Sequence, residues 1–156
     1  MPDPARQLLR HTVATVAYRG GKALRGAPDS FAQYGAPEKS ALQILAHIGD
    51  LYDWALSKAK GQEKWNNATP LPWPDEIARF HKALAAFDDY LASDQPLHAS
   101  VENLFQGPIA DSLTHIGQLA MMRRFAGCKM SGENYAVADI KAGHCGPDQP
   151  APKREF

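Results

Sequence analysis

Asp111 and His115 stand four residues apart in "GPIADSLTHIGQLAMMRRFAG" (107–127), a stretch whose apolar spacing reads as a helix. The spacing puts both side chains in the same arc as Met122 and Ala126, with Leu119 on its shoulder. A carboxylate buried there without a partner costs several kcal/mol, which a metal ion or a hydrogen-bonded cation would offset. His47 has the same character in "LQILAHIGDLYDWAL", where it interrupts the row Ile44, Ile48, Leu51. Facing helices could aim His47, Asp111 and His115 at one point. Two neutral imidazoles and a carboxylate supply three ligands to a divalent transition metal and leave a fourth position open for water or substrate. Asp50, one turn after His47, is a candidate to orient that imidazole, with a solvent-facing position as the alternative. The plainer reading of the DxxxH spacing is a capping Asp near a helix start and a hydrogen-bonded core His.

The elements that must position these residues are helices divided by Gly and Pro. In "DPARQLLRHTVATVAYRGGKALRG" an Asp–Pro pair opens a helix carrying Leu9, Val13 and Val16, which Gly20, Gly21 and Gly26 then weaken. "EKSALQILAHIGDLYDWALSKAKG" gives a second helix ending at Gly61. Pro74 opens the third, where Ile77, Phe80, Leu84, Phe87 and Leu91 recur at three and four. A short turn in "SVENLFQ" leads through Gly107 and Pro108 into the fourth, over about 108–126. No strand-like alternation competes. Four such helices with antiparallel neighbours predict an all-α four-helix bundle over 1–145. The three-proline loop between helices two and three would act as a lid or a crossover, with Trp65 and Trp73 available to cover a pocket. Beyond Gly127 the sequence predicts one short helix over 135–141 and a frayed Pro-rich tail at 146–156.

Balanced charge, 17 basic against 17 acidic residues without a basic or acidic run, argues against an electrostatic grip on nucleic acid or a membrane surface. Cys128 and Cys145 form no CxxC pattern and "MPDPARQLLRH" has no apolar signal core, so the expected location is cytoplasmic. His11 and His98 stand alone, His81 reads as exposed, and "GHCG" at 143–146 offers two soft ligands at most. Cys128 has no adjacent base to make it a nucleophile. Tyr52 and Trp54 read as packing residues. Arg123 and Arg124 read as favourable cations near a helix C-terminus rather than as a grip on an anionic thiol.

"LQILAHIGDLYDWAL", followed some 60 residues later by "ADSLTHIGQLAMMRRFAG", resembles the DinB-like superfamily, which includes S-transferases that use mycothiol or bacillithiol. The resemblance covers all four helices. It implies a bundle that is often dimeric, with a divalent metal held by a His of the second helix and an HxxxH pair of the last, commonly continuing as HxxGQ or HRGQ. "HIGQ" at 115–118 fits that continuation and His47 fits the first ligand. Asp111 departs from the pattern, standing where many members have His. A Glu occupies the place in the mycothiol-dependent maleylpyruvate isomerase branch, and the shorter Asp would reach a metal directly or through water. The resemblance therefore implies a homodimer with a divalent transition metal (zinc, nickel, manganese or iron) at His47, Asp111 and His115, and a low-molecular-weight thiol or a water as the reacting partner. The open alternative is a non-catalytic, stress-related scaffold whose metal is structural or lost.

Overall fold

The computed structural model describes residues 3–156. Helix α1 (Pro4–Leu24) starts at Asp3, whose carboxylate accepts the Ala5 N–H at 2.9 Å. It runs straight through the glycine pair expected to weaken it. A β-carbon on Gly20 would lie 2.5 Å from Phe80 and 3.2 Å from Ile116, so the missing side chain lets two neighbouring helices approach. A hairpin too short for sequence alternation to reveal, β1 (Gly35–Ala36) with β2 (Lys39–Ser40), corrects the strand-free expectation. It leads into α2 (Ala41–Ala59), which opens with a Ser40–Gln43 capping box. Then come α3 (Trp73–Ala92), the single turn α4 (Val101–Leu104) and α5 (Ala110–Phe125). A widened π turn at Phe105–Ile109 joins the last two, because Pro108 has no N–H to donate and its ring crowds the preceding turn.

The four long helices enclose one core, with α1 against α3, α3 against α2, α2 against α5 and α5 against α1. Not all neighbours are antiparallel. Arg6 reaches the Ser93 carbonyl while Gly20 meets Phe80, so α1 and α3 run in opposite directions. Arg79 contacts Ala46 and Asp50, while the His98 N–H beyond α3 bonds the Ala59 carbonyl at the end of α2, so α2 and α3 run the same way. The connection 60–72 must therefore travel back along α2, which rises about 28 Å over its length. It is a crossover. Along the way Lys64 N–H bonds Ser57 Oγ at 3.0 Å, Ala68 N–H bonds Asp50 at 3.2 Å and Leu71 N–H bonds Glu76 at 2.8 Å.

The chain beyond α5 is docked rather than frayed. Only a short 3-10 turn forms (Tyr135–Val137), and the end returns to pair Glu133 with Glu155. Buried Lys22 draws both carboxylates in, at 2.6 Å from Glu133 and 3.0 Å from Glu155, and the Tyr18 hydroxyl donates to Glu133 as well. His81, expected at the surface, is buried beneath this segment and donates its Nδ1–H to the Cys145 carbonyl at 3.0 Å. Arg123 is buried too, and donates both to the carbonyls of Ala23 and Arg25 at the C-terminus of α1 and, at 2.8 Å, to the Cys128 carbonyl just beyond its own helix. Among the described residues no helix is long and apolar enough to cross a membrane.

Two outcomes test this packing. Arg79 pairs with Asp50 at 2.6 Å and Glu76 at 2.9 Å, both buried. Arg79→Met strands two carboxylates and should lower the urea-unfolding free energy by about 3–5 kcal/mol; a loss under about 1 kcal/mol would mean that they find other partners. Burial pushes the His81 imidazole below its ordinary value, against the Cys145 hydrogen bond and with help from the Arg25 charge. The unfolded chain then binds the extra proton more readily, so His81 contributes stability above its unfolded pKa near 6.5 and loses it as pH falls. His81→Gln, which keeps a donor for Cys145, should flatten the decline in unfolding free energy between about pH 7 and 5. An unchanged slope would assign the decline to other groups.

Candidate metal centre

Three side chains from two antiparallel helices converge near the β1–β2 hairpin. His47 projects from α2, and Asp111 and His115 stand one turn apart at the start of α5. Each offers a ligand atom, and all three lie within 4.8 Å of one another, so the group could hold a metal ion. His47 Nε2 is 3.7 Å from Asp111 Oδ2, and His115 Nε2 is 3.5 Å from Asp111 Oδ1. The two imidazoles meet edge to face with ring centres 4.8 Å apart.

These separations discriminate between two arrangements. A hydrogen bond from an imidazole N–H to a carboxylate closes to about 2.7–3.2 Å. Atoms bound tetrahedrally about 2.1 Å from one ion stand about 3.4 Å apart. The two nitrogen-to-carboxylate separations are longer than a hydrogen bond and near that ligand spacing, while the group as a whole spreads to 4.8 Å, wider than one bound ion would leave it. Gln118 supplies a further clue: its Oε1 lies 2.8 Å from His115 Nδ1. A carbonyl oxygen can only accept, so Nδ1 donates to Gln118 and Nε2 is the ring nitrogen that faces Asp111. The Gln of "HIGQ" thus orients the ring of the His three residues before it, a contact that i, i+3 spacing on a helix permits.

Burial, and next the neighbouring His115, push the His47 imidazole below its ordinary value, against the pull of Asp111. His47 is then neutral near pH 7, as a ligand must be. Its flank is closed by Trp65 of the crossover, with ring centres 5.6 Å apart, while Trp54 backs Trp65 at 5.7 Å. Trp73, the other tryptophan expected to cover the site, is buried against Phe31 and does not line the cleft at this centre. Asp50 does not orient His47. Buried rather than solvent-facing, it spends its oxygens on Arg79 and the Ala68 N–H, because α3 runs alongside α2 there. The other side of the centre opens into a cleft of about 300 Å³ edged by Glu38, Lys39 and Gln43. The hairpin that brings Glu38 and Lys39 to this edge carries no signal in the sequence longer than a Gly and a Pro. His11, His98 and Cys128 join no such group among the described residues.

With zinc added in a chelator competition, His47→Ala and His115→Ala should each abolish stoichiometric binding while circular dichroism stays helical. Asp111→Ala should cost as much, since its oxygens stand at ligand distance from both rings; a small loss would put a water between. Gln118→Leu should weaken binding by about 10–100-fold. A full equivalent retained by either histidine variant would remove that residue from the site. No family model, no curated protein and no solved structure matches this chain.

Proposed function

We propose that this chain is a divalent-metal-binding four-helix bundle of the DinB-like type that transfers a low-molecular-weight thiol to an electrophile. One observation carries the reading: ligand atoms of His47, Asp111 and His115 converge within 4.8 Å, at separations too long for hydrogen bonds, with the His115 ring oriented by Gln118. The helix directions support the bundle type, since α2 and α3 run the same way and are joined by a long crossover.

A bound divalent ion lowers the pKa of a thiol held beside it, so that the nucleophilic thiolate persists near neutral pH. The chain's own groups prepare for that. His47 and His115 each offer a ring nitrogen, and Asp111 contributes one negative charge that would offset half of a dication's. Trp65 excludes water from one side of His47. No fourth His, Cys or acidic ligand joins the three among the described residues, so an ion held there would leave room on the cleft side for a thiol or a water. Lys39 at the cleft edge supplies a positive charge to an anionic substrate. A hydrolase would use the same groups with water in place of the thiol.

Cobalt-loaded protein titrated with small thiols tests the transferase reading. Inner-sphere thiolate should add a sulfur-to-cobalt charge-transfer band, and His115→Ala should lose it. A spectrum unmoved by every accessible thiol, with no exchangeable water on the metal, would leave a structural metal and end the transferase assignment.

A further inference from the structure

The cleft over the metal centre does not end at its polar rim. It shares Lys39, Ile44 and Gln118 with a wide trough of about 560 Å³ that continues along the outer side of α5. The trough is walled by Met121, Met122 and Phe125. Phe125 is 70% exposed and Met121 is 50% exposed. The trough is open to solvent at Gly117, where a β-carbon would touch nothing within 4 Å. Single exposed apolar residues are ordinary on a protein surface, but a contiguous row opening onto a polar centre marks a binding groove. Two methionines suit a ligand of variable shape, because the unbranched thioether side chain adapts to what it covers. The only charged residue common to cleft and trough is Lys39, a cation at their junction.

We propose that the ligand of this centre is a small amphipathic anion. Its polar head meets the ion at His47, Asp111 and His115, its negative charge lies by Lys39, and its alkyl or aryl tail runs over Met121, Met122 and Phe125. From Gln118 to Phe125 the helix rises about 10 Å, the reach of an eight-carbon chain. This deepens the metal-site reading of the previous section and rests on it.

Alkyl hydroxamates provide the probe, because the hydroxamate anion chelates zinc whatever chain it carries. Calorimetry on zinc-loaded protein should find octanohydroxamate bound about 60-fold more tightly than acetohydroxamate, at about twofold per methylene in a trough that covers one side of the chain. The double variant Met121→Ser, Phe125→Ser alters only exposed side chains; it should bind acetohydroxamate as the parent does and bring the ratio to within about threefold. Lys39→Gln should weaken both ligands alike. Equal affinities in the parent, or a ratio that survives the double variant, would overturn the tail site while leaving the metal centre standing. Binding of neither hydroxamate, or binding that persists after the zinc is stripped by a chelator, would overturn the metal reading and this inference with it. A drop in solution mass caused by the double variant would show the trough to be a contact between copies and would also overturn it.

Discussion

The guanidinium of Arg79 is the interaction on which much of this structure depends. Asp50 on α2 and Glu76 on α3 are both buried, and an isolated buried carboxylate costs several kcal/mol. Arg79 answers both, reaches Asp53 at 2.8 Å and donates to the Ala46 carbonyl. Gly49 makes room for it, since a β-carbon there would stand 2.9 Å from the guanidinium nitrogen. The cluster does more than join two helices that run the same way. Asp50 and Glu76 each hold a backbone N–H of the crossover, so the charge balance between α2 and α3 also fixes the path of 60–72. That path brings Trp65 against His47. The wall of the candidate site is thus tied to a salt-bridge cluster that never touches it.

Asp50 and Asp111 show how the same residue type serves two ends. Asp50 is 5% exposed and has a cation at 2.6 Å with a backbone donor besides. Its charge is spent. Asp111 has a side chain 48% exposed, with no cationic or imidazole nitrogen nearer than 3.5 Å and two imidazoles beside it. Water stabilises that carboxylate at little cost, and its lone pairs remain available to an incoming cation. The plainer reading of its spacing, a helix cap, does not describe it either, because α5 continues from a π turn and Ile109 at its start is already helical.

The extent of the helices was legible because hydrophobic periodicity records which side of a segment is buried. It does not record which neighbour buries it, and so the parallel pairing of α2 with α3 could not be read from the stripes of Ile44 or Phe80. Gly20 was misleading for a related reason: its cost to an isolated helix is local, whereas its compensation, close packing of Phe80, comes from a distant segment. The docking of the C-terminal segment on Lys22 and the burial of His81 beneath it are also long-range effects, invisible to a window of a few turns. The three candidate ligands were legible as polar residues at helical spacing. The face of α5 that is buried, however, is Ser112, Ile116, Leu119 and Arg123, so the arc of Asp111, His115, Met122 and Ala126 lies at its edge and not in the core. The role of Gln118 is not legible in the motif, since it depends on the side chain reaching His115 Nδ1 at 2.8 Å.

The spacing of an exposed group of ligands needs a rigid reference, and the buried neighbours supply one. Tyr52 and Ser112 are fully buried on the faces of α2 and α5 that meet, and their oxygens lie 2.8 Å apart. Ser112 donates onward to the Ile109 carbonyl at 2.7 Å, which obliges the Tyr52 hydroxyl to act as donor to Ser112. The chain of two hydrogen bonds therefore has one direction only, and burial holds the phenol protonated by raising its pKa. A one-residue rotation or slide of α5 would leave these hydroxyls unpaired in the core, at about 1–3 kcal/mol each. Asp111 adjoins Ser112 and His115 follows one turn later, so both inherit the setting that this lock imposes. The group facing solvent can therefore keep its open distances without a hydrogen bond of its own between α2 and α5.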